Sequence, residues 1–206
     1  MCCRYYVLPK NPALSTLMEE AARSALAERF REQGSALTTG GELRPADVVP
    51  VLASNRTGGS SVFPMRWGYR LEGRGGLLVN ARTETAAVKP TFREAWEGHR
   101  CAVPASWYYE WTHETDPAGK RKPGRKYSVR SKEEEVLWLC GLYRIENGLP
   151  AFVILTREPT EALGFLHDRM PFLLPKSSVD AWINPASRPE TLLPFAYTEL
   201  TAELVG

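Results

Sequence analysis

The chain has no Cys-x-x-Cys pair among its four cysteines, and its three histidines do not fall at zinc-finger spacing. That argues against a structural zinc site, and neither a metal nor a cofactor is expected. No apolar run approaches the ~18–20 residues needed to span a bilayer. No signal-like segment precedes Cys2, so the expected setting is the cytoplasm, with free thiols and no membrane partner. Charge of one sign is also scarce: 26 Lys and Arg face 24 Asp and Glu, for a net charge of +2. Composition alone therefore does not call for a nucleic-acid partner, although Arg outnumbers Lys and guanidinium groups suit phosphates. Internal repeats and low-complexity linkers are absent too. The 206 residues are expected to form one domain, 1–206, with a substantial core.

What is present reads as many short strands and few helices. Cys3 to Leu8 is a strand. Asn11-Pro12 supplies an N-cap and a first-turn proline, and the apolar stripe Leu14, Leu17, Met18, Ala21, Ala22, Ala25, Leu26, Phe30 predicts one core-facing helix that Gly34 stops. Ser35 to Pro45 reads as loop. Strands follow at Val48–Ala53, Ser61–Trp67 and Leu77–Ala81. Thr91 and Glu94 suggest a capping box that opens a short helix ending near Gly98. Cys101–Pro104 and Trp107–Thr112 are strands, and Lys126–Arg130 with Val136–Tyr143 predict a hairpin pair. Ala151–Thr156 is a buried strand, followed by helical turns at Thr160–Phe165 and Ser178–Ile183 and an extended Tyr197–Val205. Without a βαβ rhythm, the fold class is α+β: a single domain with an antiparallel, barrel-like β core and a few flanking helices.

Polar chemistry concentrates in a few places. Methionine aminopeptidases act when the second side chain is small, so removal of Met1 leaves Cys2 with a free α-amine beside its thiol. Such a 1,2-aminothiol condenses with an aldehyde to an imine and closes intramolecularly to a thiazolidine. Taken alone, a cysteine at position 2 is equally well a coincidence. Asn80-Ala81-Arg82-Thr83-Glu84-Thr85 ends an apolar strand with an amide and a guanidinium, and reads either as a phosphate-facing site or as a charged turn. Glu110 lies among Trp107, Tyr108, Tyr109 and Trp111. Desolvation there raises a carboxyl pKa toward proton-shuttle range, or the group is a structural partner of an arginine. His167, in Leu166-His167-Asp168-Arg169-Met170-Pro171, is either an acid/base imidazole or a satisfied structural histidine. His99 and His113 carry no assigned role. The run Lys120-Arg121-Lys122-Pro123-Gly124-Arg125-Lys126 is placed at a hairpin tip, either solvated or touching a nucleic-acid backbone.

Together these segments resemble the SRAP (SOS response-associated peptidase) family. The matching pieces are Met1-Cys2-x-Arg4, Trp67-Gly68-Tyr69, Asn80-Ala81-Arg82-x-Glu84-Thr85, Arg100-Cys101-x-x-Pro104, Trp107-x-Tyr109-Glu110-Trp111 and His167-Asp168-Arg169-Met170-Pro171, in the family's order. The resemblance implies a DNA-damage protein that senses abasic sites in single-stranded DNA and crosslinks to them through Cys2 as a thiazolidine. It also implies an autoproteolytic step that exposes Cys2. By the same resemblance Asn80 orients the amine and the sugar, Glu110 is the acid/base group, and His167 handles the proton at the sugar oxygen. Arg4, Arg82 and Arg169 look like phosphate-gripping residues, Trp67 a base-stacking platform, and Thr156 the threonine near the crosslink. The expected partner is single-stranded DNA containing an abasic site, bound by a monomer that joins the nucleoid when on DNA. Two departures stand out: Cys3 replaces the usual glycine, and the loop around Leu43-Arg44-Pro45 does not follow the pattern.

Two other functions use the same residues. An N-terminal-nucleophile hydrolase would employ the Cys2 thiol on an amide with its own α-amine as base. A non-catalytic single-strand binding module would need only Arg and Trp.

Overall fold

β1 (Tyr5–Val7) leads into α1 (Pro12–Ala22). Asn11 Oδ1 accepts from the Ala13 N–H at 2.9 Å and Pro12 fills the first turn, as the sequence indicates. The long apolar stripe does not make one helix. Ser24 leaves helical geometry at ψ 146° and its hydroxyl accepts from Ala27 N–H, so a second helix, α2 (Ala25–Glu32), starts at a new angle. The computed structural model describes residues 3–9, 11–71, 73, 75–116 and 118–205. Cys2, the residue expected to be the nucleophile, lies outside them.

β2 (Gly41–Leu43) falls inside the stretch expected to be loop, and β3 (Val48–Ser54) and β4 (Ser60–Trp67) form a hairpin. β5 (Tyr69–Arg70), β6 (Leu77–Leu78) and β7 (Asn80–Arg82) follow, then α3 (Thr83–Ala86) and α4 (Pro90–Gly98). The predicted Thr91–Glu94 capping box is absent: Lys89 is the N-cap without a side-chain bond, and Pro90 opens the helix. Next come β8 (Arg100–Ala105), β9 (Trp107–Thr115), β10 (Arg121–Ser131), β11 (Leu137–Glu146) and β12 (Leu149–Arg157). β13 (Met170–Pro171), β14 (Leu173–Leu174), α5 (Lys176–Ile183) and β15 (Leu200–Leu204) complete the chain.

The expected β10–β11 hairpin does not form, because the two strands belong to different sheets. β10 pairs with β9 and β15, and β11 with β8, β12 and β14. The basic run is not a hairpin tip either: Asp116 caps the turn by accepting from Ala118 and Lys120 N–H, and the run enters β10.

β12, β4, β3, β8 and β11 pair in a closed ring, antiparallel throughout except at β12–β4. Closure removes the free edges of those strands and buries one core that includes Val51, Val103, Leu139 and Ile154. Gly141 is needed there, since a Cβ would lie 2.7 Å from the Val153 carbonyl oxygen. The second sheet runs β15-β10-β9-β1-β2. The fold is thus α+β with a mixed, barrel-like β core and flanking helices. No helix among the described residues is long and apolar enough to cross a membrane.

A buried cation ties the helices to this core. Arg100 donates to the carbonyls of Trp182, Trp96, Glu97, Asn184 and Ser187 at 2.5–2.9 Å. These are carbonyls at or just beyond the C-terminal ends of α4 and α5, the groups a helix leaves unsatisfied.

Candidate active site

The site is organised around the start of β1. Tyr5 pairs with Tyr108 and Tyr6 with Trp107, and the Tyr109 N–H donates to the Arg4 carbonyl at 2.9 Å. One more step along this ladder sets Cys3, the residue bonded to Cys2, abreast of Glu110 on β9. Glu110 is only 4% exposed. Burial pushes its carboxyl above the usual carboxylate range, while the Trp111 N–H, donating to Oε1 at 3.3 Å, pulls it partly back. The Cys3 thiol is also pushed up, first by burial and then by the Glu110 charge. Both effects favour the protonated thiol, the less nucleophilic form.

Asn80, Thr156 and Arg169 come together on the barrel side. β7 runs parallel to β12, with Asn80 opposite Ile154 and Arg82 opposite Thr156. Asn80 is buried and Arg82 is exposed. The Thr156 hydroxyl donates to the Ala81 carbonyl at 3.2 Å, and its own carbonyl accepts from Thr83 Oγ1 and from Arg169 Nη2 at 2.6 Å. Thr156 is fully enclosed and acts as a brace for the Asn80 strand. Arg169 grips both Glu84 oxygens, at 2.7 and 2.8 Å, and holds that carboxyl below its usual range. It organises protein groups here instead of facing outward.

Trp67 does not serve as the base platform that its motif suggested. It is 0% exposed, packed against Tyr5 and Phe152, so it offers no face to a base. Its indole N–H donates instead to the Val79 carbonyl at 3.1 Å, which also accepts from Ile154 N–H. Trp67 thus fixes the residue immediately before Asn80. Gly68 must follow it: its φ is +111° and a Cβ would sit 2.9 Å from Leu77.

His167 stands just before β13, with two contacts at Nδ1. The Arg169 N–H donates to it at 3.0 Å, and Asp168 Oδ1 lies 2.5 Å away. The backbone donor cannot swing aside, whereas the Asp168 side chain is largely exposed and can. The neutral ring therefore accepts at Nδ1 and carries its proton on Nε2, and Asp168 is placed for the protonated ring. His113, given no role from sequence, packs its ring 5.0 Å from that of His167 at 66°. Only the fold reveals this, because nothing in a loop-like His-Glu-Thr segment signals a distant partner. Glu42 was also missed. It bonds Arg4 Nη1 at 2.5 Å from a strand that read as loop.

A barrel joined to a five-stranded sheet, with a buried carboxyl on the strand next to β1 and a pair of packed histidine rings, is the architecture to be matched. The chain belongs to the SOS response associated peptidase (SRAP) family, whose model matches residues 1–205. It is similar to the abasic site processing protein YobE of Bacillus subtilis, 35% identical over 131 residues, covering 59% of this chain and 58% of that protein. It is also similar to YoaM of the same organism, 32% over 160 residues (70% and 68%), and to YedK of Escherichia coli, 30% over 110 residues (52% and 47%). The chain thus spans little more than half the length of YobE. Its fold matches a solved Bacteroides thetaiotaomicron protein with TM-score 0.74 at 20% identity, over 100% of this chain and 92% of that one. A phage-related protein of Bordetella bronchiseptica matches with TM-score 0.69 at 20% identity, over 99% and 94%.

Proposed function

We propose that this chain, as a single-domain monomer in the cytoplasm, captures abasic sites in single-stranded DNA as a covalent adduct on Cys2 once Met1 is removed. The observation that carries the reading is the buried Glu110 carboxyl abreast of Cys3, in a chain of the SRAP family. An open-chain abasic sugar presents a C1′ aldehyde. The Cys2 amine adds to that carbon, and the resulting hydroxyl leaves as water when Glu110 supplies a proton, giving an imine. The Cys2 thiol sulfur then bonds to the same carbon and its proton passes to the nitrogen, closing the thiazolidine. A carboxyl whose pKa is raised by burial suits this dehydration. His167, with its neutral-form proton on Nε2, suits proton delivery to the sugar ring oxygen, and Asn80 suits orientation of the amine. Arg4 and Arg82 supply positive charge for flanking phosphates.

Intact mass of the purified protein, with and without an abasic single strand, tests the proposal. It reports Met1 removal and adduct formation together, and a denaturation-resistant adduct of one protein per strand is expected. Cys2→Ala should abolish the adduct and Cys3→Ala should retain most of it. Protein with a free Cys2 that forms no adduct overturns the reading. Turnover of an amide substrate without DNA would instead assign the thiol to the hydrolysis that the family's description names.

A further inference from the structure

Among the described Phe, Tyr and Trp side chains, only Phe165 and Phe195 are exposed. Phe195 ends the 3-10 segment Pro189–Phe195, which packs on α5. Phe165 is placed differently. It stands two residues before His167, and its ring lies 5.5 Å from that of Tyr127 at 83°. Tyr127 is directly opposite Glu110 in the β9–β10 register, and Leu204 on β15 is directly opposite Tyr127. Residues directly opposite in an antiparallel pair share a face of the sheet, with Cβ atoms about 5 Å apart. Cys3, Glu110, Tyr127 and Leu204 therefore form one row across the sheet, and the Phe165 ring is set against its third member. At Glu110 the row is buried and polar. At its far end it is apolar and open, with Phe165 57% and Leu204 54% exposed. Single exposed apolar residues are ordinary, but two against one ring make a patch. The aromatic rings on the reverse face of β9 offer no such surface, since Arg130 lies 4.0 Å over Trp107 and Lys126 3.8 Å over Tyr109.

We infer that Phe165, backed by Tyr127 and Leu204, is a stacking subsite for the nucleobase on one side of the abasic sugar, so that capture favours lesions with a purine on that side. The inference rests on the proposed function for the position of the sugar at Glu110. An abasic sugar there has no base of its own, so the base of its neighbour is the one that meets the aromatic end of the row. Glu110 and Leu204 are two strand spacings apart, about 10 Å, which an adjacent nucleotide can span. The near-perpendicular contact with Tyr127 leaves at least one face of the Phe165 ring uncovered. A base stacked on that face removes apolar surface from water on both partners, and a purine covers more of it than a pyrimidine. Stacking of this kind accepts every base but ranks bases by stacking strength.

The test uses single strands with a tetrahydrofuran in place of the abasic sugar, which lacks the aldehyde and so reports binding without capture. On each flank in turn the neighbour is adenine, thymine or a second tetrahydrofuran. Wild-type protein should bind the adenine strand more tightly than the thymine strand on one flank, and loss of that base should weaken binding about 5-fold or more. Phe165→Ala should bind the adenine strand about 5-fold or more weakly and lose the response to that flank. Phe165→Leu, which keeps apolar bulk without a ring, should behave like Phe165→Ala, and Phe165→Trp should keep the response. An equal loss in Phe165→Ala on strands with and without the flanking base overturns the inference. So does a flank response that survives Phe165→Ala, or no binding to any of these strands. The site is exposed, so melting temperatures should hardly move. Strands with a true abasic site separate the two readings. A flank response in wild-type protein that makes no adduct sinks only the covalent reading, and adduct formation without any flank response sinks only this one.

Discussion

At the scale of single residues, the proposed capture chemistry turns on Glu110. Burial raises its pKa, so the proton that dehydrates the carbinolamine is present at low pH and is lost as pH rises through the raised value. Glu110→Gln should slow adduct formation on the order of 100-fold and remove that limb from the pH–rate profile, leaving only the rise due to the thiol. The linked effects on stability have opposite signs. The Glu110 contribution is full below the ordinary carboxylate range and fades as pH rises through its raised pKa. That of Glu42 is full above about 4.5 and is lost as pH falls toward 2. A melting series over pH 2 to 5 should show a falling acid limb, and Glu42→Gln should flatten it. Trp67→Phe keeps the packing and removes the bond to Val79. Adduct formation should slow while affinity for intact strands stays the same; a fall in affinity would restore the stacking role. Glu110 was legible in sequence because four flanking aromatics imply desolvation. Trp67 misled because an aromatic residue carries no mark of which side it will bury.

At the scale of elements, Arg100 shows how much of the frame hangs on one side chain. Arg100→Met withdraws five charge-assisted bonds from helix-end carbonyls. It should cost more than about 3 kcal/mol, read from a denaturant midpoint. Lysine should rescue little, since three donors on a flexible stem cannot reach all those carbonyls. Strand positions were largely readable, because apolar alternation and turn residues mark them locally. Partners were not. β10 and β11 have the pattern of a hairpin, yet their pairing depends on segments far along the chain, and alternation does not say which neighbour an edge will meet. The break at Ser24 was hidden for a related reason: a serine in an apolar stripe is compatible with a helix until its hydroxyl finds a cap.

At the scale of the whole molecule, the barrel encloses Cys101 and Cys140, both fully buried, and pushes both thiols far up. A thiol reagent at neutral pH should leave these two unmodified in the native protein, and their labelling should track global unfolding. Modification of either at the native rate of Cys3 would contradict the closed ring. The fold class was accessible from sequence, since many strands without a βαβ rhythm leave few architectures. Closure was not, because the parallel β12–β4 contact that completes it joins segments some 85 residues apart and leaves no local trace.

The paired rings of His113 and His167 belong to opposite halves of the site, one on the five-stranded sheet with Glu110, the other beside the strand that braces Asn80. They therefore work as a clasp across a seam. Anything that pried the seam open would part Glu110 from Asn80, the proposed proton source from the proposed orienting amide, without touching either group. The proposed capture would then fail through loss of alignment while every reactive atom stayed intact, so on this reading the clasp makes the chemistry answerable to the mechanical integrity of the whole fold.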